Sequence, residues 1–210
     1  MSSVAIQGNA AGAGVFTIAS PNSASSYTLT LPTATTTLVG TDATQTLTNK
    51  TIQGGAITSG TAVASTSGTS IDFTGIPSWV KRITILLNLI STSGTSNYLV
   101  QLGSTTFTTS GYLGAGSNIQ GAPANTAFTT GFGIPNNNGA SNVIQGAVQV
   151  ALLGSNTWLA SGTLSNSNAA IGLITSGTVT LSGALDRVRI TTVAGTDTFD
   201  AGSINILYEG

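Results

Sequence analysis

The chain predicts an all-β protein, in which an extended, intertwined N-terminal β segment precedes a C-terminal β-sandwich of jelly-roll-like type. Three observations lead there. Short apolar–polar alternations recur between turns rich in Gly, Ser and Asn. No segment before Thr51 sustains a 3.6-residue apolar stripe with caps. Charged residues make up 5% of the 210 residues and hydrophobic ones 40%, far from the charge-rich, apolar-poor composition of a disordered chain.

The elements follow in order. Val15–Ala19 and Tyr27–Leu31 form two strands across the turn at Ser20–Ser23, with Tyr27, Leu29 and Leu31 on one face. Pro32 closes the second, because proline cannot donate to a ladder. Residues 1–57 hold too few large apolar groups to build a core alone. Their expected partner is another copy of the same segment, and Phe16, Ile18, Tyr27, Leu29 and Leu31 are the candidate trimer and capsid anchor. Leu29→Asp is expected to abolish trimers while leaving the rest folded.

Gln53–Ala56 and Thr58–Gly60 read as a hinge into a second module, residues 58–210. Its expected strands are Thr61–Ser65, Ser70–Phe73, Arg82–Ser91, Tyr98–Leu102, Gly146–Leu153, Thr157–Leu164, Thr178–Leu185, Arg187–Thr192 and Ile204–Tyr208. In Arg82–Ser91, Ile83, Ile85, Leu87 and Leu89 line one face and Thr84, Leu86, Asn88 and Ile90 the other. Apolar groups on both faces indicate a central strand. Gly103–Gly139 reads instead as long loops around Phe107, Tyr112, Phe128 and Phe132, a candidate recognition loop on a rigid scaffold.

Composition removes most chemistry. The chain has no His and no Cys, so the usual general base, a thiolate nucleophile and Cys/His metal sites are excluded. Neither a cofactor nor a metal is expected. Five cations in a net charge of −1 cannot neutralise a run of phosphates, which excludes nucleic acid as a partner. The chain contains neither an apolar run near the roughly 20 residues of a membrane helix nor a signal peptide at MSSVAIQGNA.

The remaining candidates give way one residue at a time. Gly8, Gly12 and Gly14 lack the Lys and helix of a phosphate loop. Asp186, Asp197 and Asp200 could be drawn as a glycosidase pair, but turn-forming bonds to backbone amides account for Asp197 and Asp200. Asp186, Arg187 and Arg189 then form the charged part of a strand edge. Lys50 or Lys81 beside one of many serines carries no information about a nucleophile. Trp79 and Trp158 each adjoin an apolar strand and read as core. No catalytic residue is assigned, and the chain reads as a non-enzyme.

Thr41–Ile52, TDATQTLTNKTI, resembles a short module that recurs in bacteriophage virion proteins, especially tail fibres and other surface appendages. The preceding GNAAGAGVFTIASPNSASSYTLTLPTATTTLVG resembles a strand repeat often found before it. IDFTGIPSWVKRITILLNLISTSGTSNYLVQLG and LDRVRITTVAGTDTFDAGSINILYEG are similar to a C-terminal β domain of such proteins. The resemblance covers most of the chain and implies a homotrimeric virion component, assembled in the host cytoplasm and displayed on the virion surface.

Three roles fit. A capsid decoration (cement) protein would stabilise the head against the major capsid protein, through strands added by its N-terminal segment. A short tail fibre would join tail proteins and bind a host surface receptor or glycan. A polysaccharide depolymerase would need two of Asp72, Asp186, Asp197, Asp200 and Glu209 to converge in a groove. The order of preference is decoration, fibre, enzyme.

Overall fold

The computed structural model describes residues 57–120 and 124–210, together with Gly12, Ala24 and Ser26. The anchor residues Phe16, Ile18, Tyr27, Leu29 and Leu31, the TDATQTLTNKTI module and Gln53–Ala56 of the hinge lie outside the described residues. What is described belongs almost wholly to the second of the chain's two units, Thr51–Gly210.

The described residues form fourteen strands and no helix: β1 (Thr58–Ser59), β2 (Val63–Ala64), β3 (Ile71–Thr74), β4 (Arg82–Thr92), β5 (Tyr98–Ser104), β6 (Thr106–Phe107), β7 (Leu113–Ile119), β8 (Asn125–Phe128), β9 (Phe132–Ile134), β10 (Ile144–Gly154), β11 (Thr157–Asn166), β12 (Ile171–Thr180), β13 (Arg187–Thr192) and β14 (Phe199–Glu209). All pairings are antiparallel. The larger sheet runs β1-β14-β4-β10-β11-β12-β7-β8, with β2 also on β14; the smaller runs β3-β13-β5-β6, with β9 also on β5.

The protein is therefore all-β, with two sheets enclosing one core. Ile83, Ile85, Val148, Trp158, Leu173 and Ile206 enter it from the larger sheet, and Phe73, Val100, Phe132, Val188 and Ile190 from the smaller. Each such large side chain contributes about 1.5–3 kcal/mol on burial. The strand numbers are nine and five, and β10, β11 and β12 form a plain meander. These pairings do not reproduce the two four-stranded sheets of a jelly roll.

Strand β4 is central, between β14 and β10, but its alternation does not run through. Ile83, Ile85 and Leu87 point inward as expected, whereas Leu89 is exposed and Ile90 is fully buried. A bulge intervenes: the register shifts between Leu87 and Ile90 against β10 and between Asn88 and Ser91 against β14, and Leu89 adopts φ +52°. Gly202 of β14 faces this kink at φ +89°, where a Cβ would fall 2.4 Å from the Leu89 carbonyl oxygen. One extra residue reverses every side chain beyond it.

Three other expectations are corrected. Gly103–Gly139 is not a set of long loops but contains β6 to β9. Leu113–Ile119, LGAGSNI, has small residues in its middle, and at Gly116 the space requires one: a Cβ there would lie 2.8 Å from the Gly133 carbonyl oxygen. The strand expected at Thr178–Leu185 is instead Ile171–Thr180, with Gly177 placed where a Cβ would meet Gly114 Cα at 2.7 Å. Finally, β13 is not an edge, since it pairs with both β3 and β5. Of the two tryptophans, Trp158 is core and Trp79 is half exposed, tilted against Tyr208 at 5.9 Å.

Candidate functional site

The aromatic residues expected to form a recognition loop are mostly interior. Tyr112, Phe128 and Phe132 are buried, and Tyr112 meets Phe132 edge to face at 5.0 Å. The Phe128 ring occupies the space a Cβ would need at Gly133. This corrects the expectation for all three: packing the small sheet against β7 and β8 consumes their surface, and none can stack on a ligand. Phe107 alone reaches the outside, and the Arg189 guanidinium lies over its ring at 4.0 Å.

That stack sits on the outer face of the smaller sheet. Arg189 is cross-strand from Asp72 and donates to both its carboxylate oxygens, at 2.8 and 2.7 Å. Beside them a groove of about 460 Å³ is lined by Ser70, Gln101, Thr109, Thr130 and Thr191. Gln101 is fixed through its Nε2 donating to the Thr130 carbonyl at 2.8 Å, and the Thr191 hydroxyl donates to the Thr69 carbonyl at 2.8 Å. Sequence reasoning missed this groove, because its members come from separate strands and only the register brings them together.

Every acid among the described residues has a structural partner. Asp186 accepts from the Arg187 guanidinium at 2.7 and 3.1 Å and from the Thr105 amide; Arg187 above all holds its carboxyl below the usual range, against the effect of burial. Glu209 accepts from Arg82 at 2.5 and 2.7 Å, which likewise lowers its carboxyl. The three arginines are raised in turn, each by its own carboxylate. Asp197 accepts from the Ser96 amide at 3.0 Å and packs over Gly94. Asp200 accepts from the Ser91 hydroxyl.

The acids do not converge on one groove, and the two whose titration is displaced move away from what a general acid needs. Among the described residues no group of three or more potential metal-ligating side chains exists. Two phenols are displaced instead: burial pushes Tyr98 and Tyr112 up to about 12. Both lie within the core, so the shift follows from packing and points to no reaction.

The outer face of the larger sheet is the other extended surface. Along β4 the outward residues are Arg82, Thr84, Leu86 and Asn88, and the register carries them across to Ala151, Gln149 and Ala147 of β10, then to Leu159, Ser161 and Thr163 of β11. Thr178, Ser176 and Ile174 of β12 and Leu113, Ala115 and Ser117 of β7 continue the rows. Between Ile83 and Leu185 the sequence has no Asp, Glu, Lys or Arg, so the β10, β11, β12 and β7 part of this face carries no charge; at the sheet's β4–β14 side Arg82 and Glu209 neutralise one another, and Asp200 lies near the other end of β14. Compared with protein-family models, with curated proteins and with solved structures, the chain matches none.

Proposed function

We propose that this chain is a non-enzymatic structural protein of a bacteriophage virion, a capsid decoration protein that cements the head as a homotrimer. The observation that carries the reading is the distribution of charge. Every described acid is held by an arginine, a backbone amide or a hydroxyl, and strands β10, β11, β12 and β7 of the broadest sheet carry no charge at all. Such a molecule is built to be held and to hold, with every acid among the described residues already engaged. The resemblance of TDATQTLTNKTI to virion modules supplies the setting.

Mechanically, three chains at one attachment point turn weak contacts with the major capsid protein into firm holding, since each later contact is intramolecular. Particles assembled without the chain are expected to release their genome at a lower temperature than complete particles, with adsorption to cells unchanged. Unchanged heat stability with lost adsorption would refute the cement role.

The groove beside Arg189 favours a second reading, a short tail fibre that binds a host glycan. Gln101 and Thr191 are both fixed by a bond to backbone, which presents polar groups without a further ordering cost. Particles carrying Gln101→Ala that adsorb normally would remove this alternative.

A further inference from the structure

We infer that the outer face of the larger sheet is where copies of this chain pack on one another. The inference deepens the homotrimer of the proposed function and rests on that part of it. Four features of the face lead to it.

First, size. Six long strands, β14, β4, β10, β11, β12 and β7, at about 4.8 Å between strands and about 3.4 Å per residue, span roughly 800 Å². One partner contributes about that area to a stable interface of standard size. Second, apolar content. Leu113, Leu159 and Ile174 are 73%, 44% and 43% exposed, and they stand among outward alanines at 115, 147 and 151. A freely solvated outer face would carry charged side chains there, whereas the middle of an interface is depleted of them.

Third, relief. Ile174 is cross-strand from Thr163 on one side and Ser117 on the other. A hollow of about 340 Å³ lies over Ala147, Gln149, Ser161 and Thr163. Another of about 280 Å³ lies over Ala115, Ser117 and Asn125, against Ile174 itself. The face thus offers both a knob and the holes flanking it, the complementary parts that head-to-tail packing in a closed ring of three requires. Fourth, charge. With no ionisable group on β10, β11, β12, β7 or β8, a second copy meets no like-charge repulsion across those strands. A partner of strong charge would find nothing to pair with. These features select another copy of the chain as the occupant.

The absence of native cysteine makes the test direct. Ser176→Cys places a thiol in the middle of the face, and Val193→Cys places one just beyond β13 of the other sheet, where the native side chain is 53% exposed. In the purified full-length protein, the thiol at 176 should react about tenfold more slowly than that at 193, as a water-excluded interface demands. Ser176→Arg should lower the sedimenting mass. Equal reaction rates overturn the inference, as does a slow thiol at 176 in a species that sediments as a single chain. An oligomer with a fast thiol at 176 overturns this face alone. The role on the particle is judged separately, by heat release.

Discussion

The Leu102 amide donates to the Tyr112 hydroxyl at 2.8 Å within the core. The bond ties the residue just before β7 to β5, one strand from each sheet, and explains why a tyrosine rather than a phenylalanine occupies this interior position. Tyr112→Phe leaves the amide without that acceptor, at an expected cost of about 1–3 kcal/mol, measurable as a lowered urea midpoint. An unchanged midpoint would show that the bond adds nothing.

The two interior phenols also set an alkaline limit. Tyr98 and Tyr112 hold their protons to about pH 12 in the folded chain, against an ordinary value of about 10. Between those values the unfolded chain releases protons that the native state keeps. Stability is therefore fully present below about pH 10 and falls as pH rises toward 12, by about 2–3 kcal/mol for each tyrosine. Urea titrations at about pH 9 and about pH 11.5 read this loss. Replacing both residues by phenylalanine should flatten the difference; an unaltered pH dependence would place its origin elsewhere.

Leu89 is held at φ +52° within β4, a conformation that disfavours L side chains by about 1–2 kcal/mol. Its side chain is exposed, so little packing is lost on removal. Leu89→Gly should gain about 0.5–1 kcal/mol after the added chain entropy of glycine is set against the relief. Leu89→Val, branched at Cβ, should lose stability. Thermal midpoints in the reverse order would contradict the bulge.

Thr175 is buried on the inner face of β12, and its hydroxyl has no hydrogen-bond partner. Valine has nearly the same shape and no polar atom. Thr175→Val is expected to stabilise the protein by about 1 kcal/mol, because a desolvated, unpaired hydroxyl is removed. A destabilised variant in chemical denaturation would mean that the hydroxyl is satisfied in solution.

Strands with strong alternation were legible from sequence: Arg187–Thr192 matches residue for residue, and the expected cores of β4, β10, β11 and β14 lie within the observed strands. Where glycine and alanine replace β-branched residues, the signal vanished. Gly114, Gly116, Gly133 and Gly177 look like turn residues in the sequence, yet they are small because neighbouring strands and rings come too close for a Cβ. Tyr112, Phe128 and Phe132 were misplaced for the same reason, since a polar, glycine-rich context conceals a buried aromatic. The turn expected at Asp197 and Asp200 is corrected: Asp197 accepts the amide of Ser96, 101 positions away, and Asp200 accepts the Ser91 hydroxyl instead of an amide. These bonds were not legible in the sequence, nor was the pairing of Asp72 with Arg189, because 117 positions separate that pair.

The copy number of the chain in purified phage particles, taken relative to the major capsid protein, tests the cement role most directly. A near-stoichiometric ratio is the expected result and means a protein that tiles the head. A ratio of a few per cent or less would contradict that role, make the chain a tail appendage, and turn attention to the groove beside Arg189.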